Sequence, residues 1–151
     1  MQTIDGFSIK SAVGGKPTIL NASTHTNILF RLVPRDLVGS LLKNSEILEK
    51  EIKPKFGILE DGGIAVEFNR FASSEFQANL MLIDSKFPEV LGFVVLLWAQ
   101  GRIKNVSDAL VFLEELNPLE VPAGRSAVFY RSLFSKFSNA LSVGLAPGRF
   151  W

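Results

Sequence analysis

The sequence contains no cysteine and a single histidine, His25. The first absence excludes disulfides, thiolate metal sites and a cysteine nucleophile. The second leaves a Ser-His-Asp arrangement only one base to use. That base stands in Ser23-Thr24-His25-Thr26, a polar stretch read as a loop between strands, where no neighbour in sequence orients an imidazole. A metal site would need carboxylates, and no loop has the calcium-binding pattern, so neither a metal nor another cofactor is expected. Also missing is a hydrophobic run long enough to cross a bilayer, which takes about 20 apolar residues as a helix. The most apolar stretch, Val90–Ala99, is bounded by Lys86, Pro88 and Glu89 on one side and by Arg102 on the other. The opening MQTIDGFSIK lacks a basic region followed by an apolar segment. No signal peptide is read, and an intracellular, cytoplasmic location is expected. Charge of one sign is not in excess either: the net charge is +1, which gives no global electrostatic case for a polyanion.

Three short stretches imitate catalytic motifs and fail on mechanical grounds. Gly14-Gly15-Lys16-Pro17-Thr18 resembles a phosphate loop, but Pro17 stands where Ser or Thr must follow the lysine, and proline removes an N–H such a loop uses. Ser40-Leu41-Leu42-Lys43 matches S-x-x-K, yet the K-T-G partner is absent. Glu114 and Glu115 are neighbours on a helix and cannot face each other as an acid–base pair. No catalytic residue is assigned.

What is present is apolar surface. Hydrophobic residues make up 47% of the 151 positions and phenylalanine alone supplies thirteen. Soluble monomers rarely expose large apolar patches, so self-association into a homo-oligomer is expected. The charges are unevenly spread. Asp108, Glu114, Glu115 and Glu120 crowd residues 105–120, whereas residues 121–151 carry Arg125, Arg131, Lys136 and Arg149 with no acid. The early part is basic too, with Lys10, Lys16, Arg31 and Arg35 against Asp5. Such blocks pair within a chain, pair between subunits, or form a basic surface.

Taken in order, residues 1–33 read as strands, through Phe7 and Ile9, then Ile19-Leu20, then Asn27–Val33. Asp36 is a suitable N-cap for an amphipathic helix over about 36–50. Residues 51–69 alternate (Phe56, Ile58; Ile64, Val66, Phe68) around Glu60-Asp61-Gly62-Gly63, which predicts a β-hairpin with Ala65 and Glu67 facing out. Helices follow. One starts at Ser73 with Ser74-Glu75-Phe76-Gln77 as a capping box. A central one covers 88–100, opened by Pro88 and stopped by Gly101. A third runs over 108–116, capped by Ser107, with Leu110, Val111, Leu113 and Leu116 inward. The last covers 126–142, with Phe129, Tyr130, Leu133, Phe134, Phe137 and Leu141 on one face. Strands first and helices second predict an α+β fold: a small antiparallel sheet with a β-hairpin in the N-terminal half, and a helical bundle in the C-terminal half. A single domain over 1–151 is expected, with lobes at 1–70 and 71–144 and a tail at 145–151.

The aromatic face of the last helix and the tail supply the candidate self-interface: Phe129, Phe134, Phe137, Phe150 and Trp151. The expectation is a non-enzymatic interaction and assembly protein, of the kind that viruses and phages encode. An alternative is a nucleic-acid-binding protein, with RNA as partner, in which Lys53, Lys55, Arg70, Arg102, Lys104, Arg125, Arg131 and Lys136 meet phosphates while aromatics stack bases. A third reading is a small enzyme whose site is assembled from scattered positions, His25 among them.

Overall fold

Two segments far apart in sequence make the sheet. In the computed structural model, which describes residues 27–34 and 52–142, strand β1 (Ile28–Val33) pairs antiparallel with β2 (Ala65–Phe71). Five helices complete the described residues: α1 (Ile52–Asp61), α2 (Ser74–Ile83), α3 (Phe87–Ala99), α4 (Val106–Leu116) and α5 (Ser126–Ser142). The α+β class and the division into an early sheet and a late set of helices are as the patterning predicts. The expected strands before residue 27, the helix over 36–50 and the tail over 145–151 lie outside the described residues.

The hairpin expected over 51–69 does not form. Its first arm is α1, and the Asp61-Gly62-Gly63 stretch closes that helix instead of turning a ribbon. Gly63 has φ +71°, its N–H donates to the Glu60 carbonyl, and the Ile64 N–H donates to the Leu59 carbonyl. These crossed bonds are a Schellman closure, and the apolar residue just beyond it, Ile64, is buried as that motif favours. Only the second arm is a strand. Within it the expected facing holds: Ile64 is buried, Val66 and Phe68 are half-buried, and Ala65 and Glu67 are exposed.

The same closure ends α3. Gly101, at φ +74°, donates to the Trp98 carbonyl, and Arg102 donates to the Leu97 carbonyl. The two helix ends meet, since Gln100 Nε2 donates to Glu60 Oε1 at 3.0 Å.

Two helix starts differ from expectation. Ser73, one residue earlier than expected, caps α2 by accepting from the Phe76 N–H, while Gln77 turns its carbonyl to the Phe71 N–H at 3.0 Å. Gln77 thus serves the end of β2 and not a capping box. Asn105, not Ser107, caps α4, accepting from the Asp108 N–H while the Asp108 carboxylate accepts from the Lys104 N–H. The inward face also differs: Ala109 and Leu113 are buried, whereas Val111 and Leu116, expected inward, are exposed.

One core joins sheet and helices. Phe71 of β2 meets Phe76 of α2 edge to face at 5.0 Å, and Phe87 of α3 packs on Phe134 and Phe137 of α5 at 5.9 and 4.7 Å. Each such buried aromatic contributes about 2–3 kcal/mol by removal of apolar area from water. The ribbon lies against α3 at Gly92, a buried position where a Cβ would run into the Phe68 ring. Glycine is required there by close approach.

Candidate nucleic-acid interface

A surface for a polyanion needs cations that carboxylates have not already neutralised. Of the eight expected, Arg131 donates to Glu114 at 2.9 Å and Lys136 donates to Asp84 at 2.8 Å. Burial pushes the Asp84 carboxyl up, but the hydrogen bonds from Lys136 and from the Lys86 N–H, with the Lys136 charge, outweigh it and hold the carboxyl below its ordinary value. Lys136 and Arg131 are therefore ties between helices. Lys55 is also engaged, and the side chain of Lys53 lies outside the described residues. Arg70, Arg102, Lys104 and Arg125 are exposed and have no carboxylate partner among the described residues. They stand on three parts of the fold: the ribbon, the α3–α4 link and the start of α5.

The α3–α4 link carries the densest group. Trp98, on the last turn of α3, is 65% exposed. Arg102 follows the Gly101 turn and lays its guanidinium over the Phe112 ring at 5.0 Å. Lys104 lies just before the α4 cap. An exposed indole beside two cations is able to meet a base or sugar together with phosphates.

The ribbon carries a different set. Arg31 and Glu67 face each other across the strands and join at 2.9 Å, both side chains about half exposed (52% and 48%). Beyond them the register slips: Phe30 pairs with Phe68, but Leu29 pairs with Arg70, leaving Asn69 as the extra residue of a β-bulge. The slip brings Phe68 and Phe71 onto the same inner side, where their rings meet at 5.6 Å. Regular alternation would have put them on opposite faces. It also leaves Asn69 and Arg70 both exposed. Sequence reasoning named Arg31 and Arg70 as basic residues but did not bring them together, and it missed Glu67 and Asn69 as their company. The signal was available in the Asn-Arg doublet, which breaks an otherwise alternating strand.

The aromatic self-interface is placed differently. Phe134 and Phe137 are buried within this chain's own core and offer no surface to a second copy; Phe129 is half-buried and stacks edge-on against Tyr130 at 5.4 Å. Phe150 and Trp151 lie outside the described residues, as does His25. Among the described residues no group of three or more His, Cys, Asp or Glu side chains is positioned to hold a metal ion, and no helix is long and apolar enough to cross a membrane.

Comparison with known proteins decides between the functional classes. The HpaII restriction endonuclease family matches residues 1–151. The chain belongs to the HpaII restriction endonuclease family. Its relatives include a type II restriction enzyme, HpaII, of Haemophilus parainfluenzae, 32% identical over 147 residues. That match covers 97% of this chain but 40% of the relative's length. No solved structure matches. Membership in an endonuclease family overturns the expectation of a non-enzymatic assembly protein, and with it the protein-interaction and viral readings. That expectation rested on the apolar excess, the complementary charge of the late segments and the lack of a catalytic set, and two of its five interface candidates, Phe134 and Phe137, fill the core.

Proposed function

We propose that the chain forms part of a type II restriction endonuclease and helps to hold duplex DNA for cleavage. The observation that carries this reading is the family match along residues 1–151. The exposed cations with no carboxylate partner among the described residues support it: Arg70, Arg102, Lys104 and Arg125 are what a DNA-holding surface requires. The nucleic-acid alternative agrees with this reading once duplex DNA replaces RNA. Phosphodiester hydrolysis commonly draws on divalent ions held by carboxylates. Among the described residues Glu67, Asp84, Glu89 and Glu114 each face a cation, and no group of three or more such ligands converges. No hydrolytic step follows from them.

The test is binding of the 151-residue chain to a fluorescent duplex of mixed sequence, followed by anisotropy over a series of salt concentrations. Affinity that falls steeply as salt rises is the expected outcome, because phosphate contacts release counterions. Absence of duplex binding at low salt overturns the reading.

A further inference from the structure

We infer that the outer face of the β1–β2 ribbon is the surface that meets the duplex, entering a groove with Asn69 and Arg70 against base edges. This rests on the DNA-holding function proposed above and assigns it to one element. The α3–α4 link is the rival. There, however, Arg102 is held on Phe112 and Lys104 is a lone point charge, so the link offers phosphate contacts that position without specifying.

Shape comes first. The major groove admits a two-stranded antiparallel ribbon, and the described sheet has two strands. Its inner face is closed by Phe68 and Phe71 packing into the core, which leaves the outer face as the one able to meet a partner.

Chemistry comes second. The outer face presents arginine, asparagine and glutamate, the side chains whose donors and acceptors match guanine, adenine and cytosine edges respectively. The bulge sets two of them, Asn69 and Arg70, side by side, where a regular strand would have sent one inward. Neither is committed to the scaffold: Arg70 has no carboxylate partner among the described residues, and Asn69 is exposed. Beside them Glu67 holds Arg31 in an exposed pair of the kind that adds little to stability. Such a pair exchanges readily: DNA phosphate is able to take Arg31 from Glu67. Glu67 then weakens indiscriminate binding while the Asn69–Arg70 doublet remains available for readout.

The experiment uses the whole chain and the mixed-sequence duplex probe, with R70A, E67Q and E115Q compared with wild type. R70A is expected to weaken binding to the mixed-sequence probe several-fold, because duplex of any sequence loses the arginine's charge. E67Q is expected to tighten it and to steepen the salt slope by about one, since Arg31 becomes free to neutralise a phosphate. E115Q makes the same charge change on exposed α4 and is expected to leave affinity unchanged. Circular dichroism melts matching wild type keep folding out of the result; if R70A melts early, R70Q carries the test, because glutamine removes the charge and keeps a long polar side chain. Wild-type binding with R70A and E67Q both behaving like E115Q overturns the ribbon assignment and leaves the DNA reading standing. A wild type that binds no duplex overturns both.

Discussion

The β1–β2 ribbon and the α4–α5 pair are each crossed by one arginine–glutamate contact, and both contacts measure 2.9 Å. Their surroundings differ. Glu114 is only 25% exposed, and the contact it makes with Arg131 bridges two helices above the buried Leu113, Tyr130 and Leu133. The helix pair has a second tie as well. Asn117, in the left-handed region at φ +43°, ends α4 and clasps Val121 by both its backbone groups, and Tyr130 Oη donates to Asn117 Oδ1 at 3.1 Å. On the ribbon, Arg31 and Glu67 stand half exposed, with polar Asn69 and Arg70 nearby in the same strand pair. Equal distance therefore does not mean equal role. The helix-pair contact belongs to the scaffold, while the ribbon contact is one that water and a ligand are able to exchange.

The largest effect is expected where the helix-pair clasp is broken. Tyr130 Oη also accepts from the Leu119 N–H at 3.2 Å. Tyr130→Phe keeps the ring in the core but leaves that N–H and the Asn117 oxygen short of partners, at a cost of about 1–3 kcal/mol. A thermal melt should fall by about 2–4 °C for each kcal/mol lost. Duplex binding at a temperature below the melt should be unchanged, because the hydrogen bonds of the clasp join Asn117, Leu119, Val121 and Tyr130 and none of the exposed ribbon residues. Weakened binding in a folded Y130F protein would break the separation between scaffold and ligand face.

Double-mutant cycles sharpen the same contrast. The Arg31–Glu67 cycle (R31A, E67A and both) should give a coupling of about 0.2–1 kcal/mol in urea unfolding, the range for exposed pairs. The Arg131–Glu114 cycle should give more, since Glu114 is the better covered partner. The reverse order would assign the ribbon pair to the scaffold and weaken the case that DNA displaces it.

The contrast also accounts for what the sequence made legible. The helices α2, α3 and α5 follow from local patterns: a serine cap before α2, Pro88 at the start of α3 with Gly101 past its end, and Phe-rich spacing along α5. Local pattern failed at α1 because Asp-Gly and Gly-Gly serve a tight hairpin and a helix closure equally well through positive φ. What chose between them was a partner for β2 lying more than thirty residues upstream, at Ile28–Val33, which no short window contains. The Asn69-Arg70 doublet marks a break in alternation, but the bulge itself is a property of two strands in register. Of the candidate site, basic residues could be named, but which were neutralised could not, since Lys136 finds Asp84 at a separation of 52 residues and Arg131 finds Glu114 at 17. Function came from the family match, because no single motif among the described residues carries it.

A different readout is available at the third contact, Lys136–Asp84, which ties α5 to the end of α2. It tests whether a helix-to-helix tie registers as stability at all. The Asp84 carboxyl is held below its ordinary value: burial raises it, and the two hydrogen bonds with the lysine charge more than reverse that. A carboxyl lowered in the folded state binds a proton less readily there than in the unfolded chain. Its contribution is therefore fully present above the unfolded value, about 3.9, and is lost as pH falls through the lower folded one. Asp84→Asn removes the titration while keeping an oxygen for the Lys86 N–H. Melts of wild type and D84N from neutral pH down through the carboxylate range should show wild type ahead at neutral pH and the gap closing in acid. A gap that stays constant would mean that the tie is packing and hydrogen bonding without a titrating charge, and would bring the helix contacts closer in kind to the exposed pair on the ribbon.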